Sequence, residues 1–280
     1  MRAERKSPAT IKCYGDGVRS YLRWCEASGN EPLLSKASAQ AWIADLLGNG
    51  AEGSTAKARA KGLRRFCAWL VAEGELSENP MAGMAAPKVD QKVVAALSED
   101  QLKRLLKACA GKDWRDRRDE AIVRLMLETG ARASEVVGLQ SADVDLDREL
   151  VTIRRGKGGK GRVVPIGAQT VLALDRYLRA RRSRGQGDVA ALWVGAGGSF
   201  GYYGLSDALK ARARAAGIEG FHLHLFRHTL ATRWKAAQGS DDGLMAVAGW
   251  SSRSMIDRYA GAAASQRAAE EARQLGLGDL

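Results

Sequence analysis

Two side chains three positions apart, His224 and Arg227, have the types and spacing needed to act on a phosphate group. All three histidines of the chain lie in the segment HLHLFRH at 222–228. Residues three apart on a helix share a face, so the imidazole and the guanidinium could address one small group. Imidazole moves a proton near neutral pH, and guanidinium is a permanent cation that matches phosphate oxygens. The pair therefore indicates phosphate chemistry.

A candidate nucleophile, Tyr259, follows in the segment GWSSRSMIDRYAG at 249–261. Met255 and Ile256 precede it by four and three positions, which predicts a short helix that buries one face and carries the phenol. A phenol held beside cations is suited to nucleophilic attack. Trp250 lies nine residues before the tyrosine.

A second arginine lies at an expected break between helices. Residues 121–127 are nearly all apolar, which predicts a buried helix, and Gly130 ends it. Arg132 then begins a new turn, with Glu135 three residues later. An arginine beside buried structure is a candidate site residue, whereas an ordinary Arg132–Glu135 surface pair would contribute little.

A basic hairpin is predicted at 150–166, where two β-rich runs flank the segment RRGKGGKGR. Its glycines let the backbone approach a polyanion closely, and Lys157 and Lys160 supply positive charge. The spacing differs from that of a nucleotide-binding P-loop, and no helix follows directly. The hairpin is therefore a weak candidate for a nucleotide site.

The charge balance points to a polyanionic partner, because 44 Lys and Arg against 32 Asp and Glu give a net charge of +12. A length of 280 residues favours two domains. The four cysteines form no CxxC pair, and the sequence shows neither a signal peptide nor a membrane span. These features predict a soluble, cytoplasmic protein whose partner is nucleic acid.

The elements that must position these residues are mostly helices. The first third predicts three of them, at about 8–28, 38–47 and 54–73. The third has an apolar side and a basic side, which is either a solvated face or a phosphate-contacting one. From Ser98 a capping box starts a further helix, and later helices are expected at about 168–183 and 203–216. The basic side consists of Lys57, Arg59, Lys61, Arg64 and Arg65.

Four segments occur in an order that resembles the boxes of the tyrosine recombinases, the phage integrase family. They are TGARASEVVGL at 129–139, GKGGKGRVVPIG at 156–167, HLFRH at 224–228 and AGWSSRSMIDRYAG at 248–261. The resemblance implies a mainly α fold with a small antiparallel β-sheet, in the α+β class. Its expected parts are a helical core-DNA-binding domain at 1–86, a linker at 87–97, a catalytic domain at 98–262, and a tail helix at 263–280 that contacts a neighbouring protomer.

The resemblance also implies a site-specific DNA recombinase that works through a 3′-phosphotyrosine, without a metal or other cofactor. Tyr259 would be the nucleophile, and Arg132 and Arg227 would clamp the phosphate. Lys157 would be the general acid, although Lys160 is a rival for that role. His224 would accept the tyrosine proton or hold the phosphate. Trp250, which stands where most relatives carry histidine, would be a further catalytic residue, and Glu135 and His228 would support the site.

The implied partner is double-stranded DNA with specific recombination sites, bound by a homotetramer, with accessory directionality proteins for some roles. Membrane association is not expected. The role would be integration, excision or resolution. DNA contacts are expected from Lys57, Arg64, Arg65, Lys160 and Arg162.

Three other hypotheses use some of the same residues. A type IB topoisomerase would use similar chemistry to relax supercoils as a monomer. A catalytically silent relative would bind DNA without needing the full set of Arg132, Lys157, His224, Arg227 and Tyr259. A zinc site built from the three histidines has unusual spacing and lacks a partnering cysteine.

Overall fold

The computed structural model describes residues 8–89, 96–154 and 161–256, together with Glu271 and Leu275. This part of the chain is mainly helical with a small antiparallel sheet, which confirms the expected fold class. The chain divides into two compact units, Met1–Lys92 and Val93–Leu280. Lys157, Lys160, Tyr259 and most of the predicted tail helix lie outside the described residues.

Over its described residues 8–89, the first unit contains three helices, as the sequence predicts: α1 (Pro8–Ala27), α2 (Lys36–Gly48) and α3 (Gly53–Ala72). Helices α1 and α3 pack closely because glycines face each other at the crossing. A Cβ atom on Gly17 would lie 2.4 Å from the carbonyl oxygen of Arg59, and one on Gly62 would lie 2.8 Å from that of Tyr14. The core beside this crossing includes Tyr21, Trp42, Leu63, Cys67 and Met81.

The basic side of α3 is only partly available to a partner. Lys57, Lys61 and Arg65 are exposed and lie four residues apart, so they form one stripe. Arg64 is half-buried and donates a hydrogen bond to the carbonyl of Met84 at 2.7 Å. This contact revises the expectation of an Arg64–DNA contact, because the guanidinium is used within the first unit.

The second unit contains the remaining helices and all the strands among the described residues. Helix α4 begins with the capping box predicted at Ser98 and Gln101. The helices are α4 (Glu99–Ala108), α5 (Trp114–Thr129), α6 (Ala133–Val137), α7 (Ala168–Arg182), α8 (Tyr202–Ala215), α9 (Leu225–Ala236) and α10 (Asp241–Ala248). The strands are β1 (Val144–Asp145), β2 (Leu150–Ile153), β3 (Arg162–Pro165), β4 (Val194–Gly195) and β5 (Gly198–Ser199).

Strands β1, β2 and β3 form one antiparallel sheet in that order, and β4 pairs with β5. The pairing of Val151 with Val164 confirms the predicted β2–β3 hairpin. Strands β1, β4 and β5 were not predicted from the sequence. Each has two residues, which is too short for a period-two pattern to be visible.

Helix α5 lies at the centre of the second unit, in contact with α7, α8 and α9. Its residues Ile122, Val123, Leu125 and Met126 are all buried, although they occupy different sides of the helix. A helix that is apolar on most sides must be surrounded by other elements. Within the described ranges, no helix is long and apolar enough to cross a membrane.

Candidate active site

The site is built around the break between α5 and α6. Gly130 ends α5 with φ +55°, a left-handed conformation that favours glycine. A Cβ atom at this position would lie 2.6 Å from Cδ2 of Leu230 on α9. The break therefore brings the chain directly against α9, and Arg132 becomes the N-cap of α6.

Glu135 is a buried acid that binds two arginines. Its Oε1 accepts a hydrogen bond from Arg132 Nη1 at 2.9 Å, and its Oε2 accepts from the Arg132 backbone N–H at 2.9 Å. Arg162 Nη2 also donates to Oε2 at 2.9 Å. The Glu135 side chain is 2% exposed, so the surface ion pair considered from the sequence is wrong.

The Glu135 carboxylate is held in its charged form. Burial alone would raise its pKa, but the hydrogen bond from Arg162 and those from Arg132 outweigh burial and lower the pKa overall. An ionised Glu135 can therefore orient Arg132, as the family resemblance implies.

Arg162 lies inside the site and not at its surface. Its side chain is 10% exposed. Besides binding Glu135, its Nε donates to the carbonyl of Val247 near the end of α10 at 2.8 Å. Two of the three guanidinium nitrogens, Nε and Nη2, therefore donate to the protein, which the expectation of an Arg162–DNA contact did not include. Nothing in the spacing of the sequence indicates these partners.

Helix α9 presents His224 and Arg227 from its first turn, as their spacing predicts. His224 is the N-cap and is exposed, whereas Arg227 is 2% exposed. Arg227 Nη1 donates to the carbonyl of Gly130, and its guanidinium lies 5.4 Å from the ring centroid of Trp250. A cation over an indole face is attracted by the ring quadrupole.

The three histidines lie close together. The ring centroid of His228 is 4.6 Å from that of His224 and 6.1 Å from that of His222. Although His224 is exposed, partial desolvation of its ring, followed by the charges of Arg227, His222 and Arg132, lowers its pKa. Its imidazole is therefore neutral at neutral pH. Within the described ranges, no three His, Cys, Asp or Glu side chains are placed to hold a metal ion.

The end of α10 completes the site. Gly249 ends this helix with φ +63°, and its carbonyl accepts a hydrogen bond from Arg132 Nη2 at 3.5 Å. Trp250 follows, buried, and faces Arg227. Met255 and Ile256 pack in the same small cluster as Trp250, whose ring lies beside Arg227.

The structure thus groups residues that are far apart in the sequence. Arg132 comes from the α5–α6 break, His224 and Arg227 from α9, and Trp250 from the turn after α10. Glu135 binds Arg132, and the His228 ring lies beside that of His224. The expected nucleophile Tyr259 and the lysines Lys157 and Lys160 lie outside the described residues. The grouping combines two guanidinium groups with a neutral imidazole, a set that can bind a phosphate and move a proton.

Comparison with known sequences identifies the family. The sequence model of the phage integrase family matches residues 95–266. The tyrosine recombinase XerC of Chromobacterium violaceum is 32% identical over 256 residues, which cover 91% of this chain and 84% of that relative.

Two solved structures share the fold. The Tn1549 transposon integrase in complex with transposon right-end DNA aligns with a TM-score of 0.71 and 17% identity, covering 94% of this chain and 99% of that one. A lambda integrase dimer bound to a COC′ core site aligns with a TM-score of 0.70 and 18% identity, covering 91% and 89%. From the family match and the XerC similarity, the chain belongs to the phage integrase family, the tyrosine recombinases.

Proposed function

We propose that this chain cuts and rejoins DNA at specific sites through a 3′-phosphotyrosine formed on Tyr259. Its family makes it a site-specific tyrosine recombinase and a DNA strand transferase. The relatives favour neither a topoisomerase nor a silent DNA-binding protein. The observation that carries the proposal is the convergence of Arg132, His224 and Arg227 from two distant parts of the chain.

The proposed reaction exchanges one phosphodiester for another. The Tyr259 oxygen attacks the scissile phosphorus while the bond from phosphorus to the 5′-oxygen breaks. The phenol proton leaves to a base, and the departing 5′-oxygen gains a proton from an acid. The product is a protein–DNA ester with a free 5′-hydroxyl, which later attacks an equivalent ester to form the recombined strand. Bond energy is retained in the ester, so the exchange requires no ATP.

The two arginines supply the electrostatic part of catalysis. Negative charge accumulates on the non-bridging oxygens as the phosphorus becomes pentacoordinate, and fixed cations stabilise that charge most. Arg132 is held by Glu135, and Arg227 by the Gly130 carbonyl and Trp250. Because both are oriented before DNA binds, little reorganisation is needed in the transition state.

Proton transfer is assigned to His224 and Lys157. A neutral His224 accepts the tyrosine proton or a hydrogen bond from the phosphate region, and its lowered pKa supports the neutral form. Lys157 is the proposed general acid, with Lys160 as the alternative. Trp250 donates a hydrogen bond and buttresses the site but transfers no proton.

We extend the same proposal to the domains of the chain and to its assembly on DNA. Residues 1–86 are the core-DNA-binding domain, with Lys57 and Arg65 contacting phosphates, and residues 98–262 are the catalytic domain beyond a linker at 87–97. The tail at 263–280 contacts a neighbouring protomer in a tetramer on DNA. A lambda integrase of the same fold has been solved as a tetramer bound to a Holliday junction, which supports this part. Cytoplasmic location and accessory directionality proteins belong to the proposal as well.

Covalent capture tests the function directly. The full-length protein is incubated with fragmented genomic DNA of its host, and the DNA that remains attached after denaturation is sequenced. A nicked duplex built from the captured sequence then traps the adduct. We expect wild type to form the adduct and Tyr259→Phe to bind the duplex without forming it, because phenylalanine lacks the attacking oxygen.

The matched control is Tyr203→Phe, which removes the hydroxyl of an 81% exposed tyrosine outside the family boxes. This variant should form the adduct at the wild-type rate. An adduct that survives Tyr259→Phe would assign the nucleophile to another residue.

A further inference from the structure

We propose that Arg162 is a positioning residue for DNA cleavage, because it binds the Glu135 carboxylate and the Val247 carbonyl and so fixes Arg132 in its catalytic orientation. This inference rests on the proposed function. Arg162 itself does not touch the phosphate. It acts through Arg132, the residue that does.

The first observation is that the two oxygens of the Glu135 carboxylate accept hydrogen bonds from different donors. Oε1 accepts from the Arg132 side chain at 2.9 Å, whereas Oε2 accepts from the Arg132 backbone and from Arg162 Nη2, each at 2.9 Å. With three donors on two oxygens, the carboxylate cannot rotate without breaking a hydrogen bond. Removing Arg162 leaves Oε2 without its only side-chain donor among the described residues, and this loosens the anchor of Arg132.

The second step is the contact with the end of α10. Arg162 Nε donates to the carbonyl of Val247 at 2.8 Å. A Cβ atom on Gly249 would lie 2.7 Å from Arg162 Nη1, so the guanidinium lies directly against this glycine. The Gly249 carbonyl is the second acceptor of Arg132, at 3.5 Å. Arg162 therefore contacts both anchors of the Arg132 guanidinium.

The third step is the choice of side chain. A guanidinium donates in two directions from one rigid plane, whereas a lysine ammonium is a single point charge. Arg162 needs both directions, since its Nη2 reaches α6 and its Nε reaches α10. Its 10% exposed side chain is poorly placed for a DNA backbone contact. Arg154, which follows β2 at the same end of the hairpin, is 55% exposed.

A matched control exists in the same unit. Arg212 donates through Nε to Asp119 at 2.9 Å and through Nη2 to Asp116 at 2.7 Å. It is a largely buried arginine that joins helices, as Arg162 does, but it contacts none of the residues of the candidate site. Arg212→Gln therefore reports what the loss of a structural arginine does to cleavage.

The experiment is a double-mutant cycle on the trapped-adduct assay. Arg162→Gln, Arg132→Ala and the combined variant are compared with wild type for the cleavage rate and, separately, for duplex affinity. We expect Arg162→Gln to slow cleavage about 10-fold to 100-fold, the loss typical of one charge-assisted hydrogen bond, and to change affinity less than about 2-fold. In the Arg132→Ala background it should slow cleavage less than about 3-fold further, because residues that act as a unit are non-additive.

Arg212→Gln should instead slow cleavage by the same small factor in the wild-type background and in the Arg132→Ala background. Full multiplication of the Arg162→Gln and Arg132→Ala losses, or wild-type cleavage by Arg162→Gln, would overturn the inference. If Arg162→Gln fails to fold, Arg162→Lys replaces it in the cycle, and failure of both to fold would assign Arg162 to the fold alone. A wild type that forms no adduct overturns the proposed function itself, whereas an active wild type with an unaffected Arg162→Gln overturns only this inference.

Discussion

Arg227 illustrates how the site is prepared at the scale of single residues. Its side chain is buried, its Nη1 donates to the Gly130 carbonyl, and Trp250 covers its guanidinium. The entropy cost of fixing the Arg227 side chain therefore arises during folding, before any phosphate is bound. A cation held in this way contributes most when negative charge increases on its ligand, which is what the transition state of phosphoryl transfer requires.

Arg227→Ala should lower cleavage far more than affinity. The expected loss in the cleavage rate is about 100-fold to 1,000-fold, as for removal of one preorganised donor, with less than about 10-fold in duplex affinity. Single-turnover adduct formation and a binding titration measure the two. Arg233→Ala, on the same helix but exposed, is the control and should leave cleavage nearly unchanged. Equal losses in rate and affinity for Arg227→Ala would make it a simple anchor.

The pH dependence of cleavage tests His224. Its pKa is lowered by partial desolvation and by the neighbouring arginines, so the imidazole takes up its proton at a lower pH than the ordinary value of about 6.5. If it accepts the tyrosine proton, the rate should be constant through neutral pH and fall only below that range. His224→Gln should be slower and lose this acid limb, while the exposed His222→Gln should keep it. An acid limb above pH 6.5 or so in wild type would contradict the assignment.

Several of the residues that the structure brings together could be singled out from the sequence, because their types are rare or their spacing is informative. Three clustered histidines and an arginine after a helix-ending glycine could be found by inspection. The partners of Arg162 could not. Glu135, Arg162 and Val247 meet only through the packing of α6, β3 and α10, and neither periodicity nor local spacing carries that information.

At the scale of elements, the turn after α5 determines where both arginines lie. Gly130 has φ +55°, and its Cα is packed against Leu230 of α9. Its carbonyl also accepts the hydrogen bond from Arg227. One glycine therefore ends α5, allows α9 to approach, and orients the Arg227 side chain.

Gly130→Ala should destabilise the protein by about 2 to 4 kcal/mol, because a left-handed alanine is strained and its methyl group overlaps Leu230. Gly220→Ala is the matched control. Its φ is +63°, but no atom lies within 4 Å of the added Cβ, so only the backbone cost of about 1 kcal/mol is expected. Urea unfolding monitored by circular dichroism measures both. Equal costs at the two positions would show that the Leu230 contact is unimportant.

Long elements were predictable and short ones were not. Helices α1, α3 and α4 were indicated by their apolar spacing and, for α4, by its capping box. Strands β1, β4 and β5 have two residues each, so their pairing depends on tertiary neighbours and not on local pattern. The same reason explains why α6, a five-residue helix, was visible only as a turn beginning at Arg132.

At the scale of the whole molecule, two separate hydrophobic cores support two different functional surfaces. One core, around Trp42 and Leu63, supports the basic stripe of Lys57, Lys61 and Arg65 on α3. The other, around Ile122 and Phe226, supports the candidate active site. The length of the sequence favoured two domains, and the structure divides into the units Met1–Lys92 and Val93–Leu280. The excess of positive charge assigns the expected partner class, a polyanion, to both units.

The salt dependence of DNA binding tests the role of the stripe. Changing Lys57, Lys61 and Arg65 to glutamine should reduce the slope of log affinity against log salt by about 1 for each phosphate that is no longer neutralised, and so by up to about 3. Titrations of the captured duplex at several salt concentrations measure it. The control is Lys36→Gln, an exposed lysine at the start of α2. If the triple variant keeps the wild-type slope, the three side chains make no phosphate contact, because no counterions are released through them.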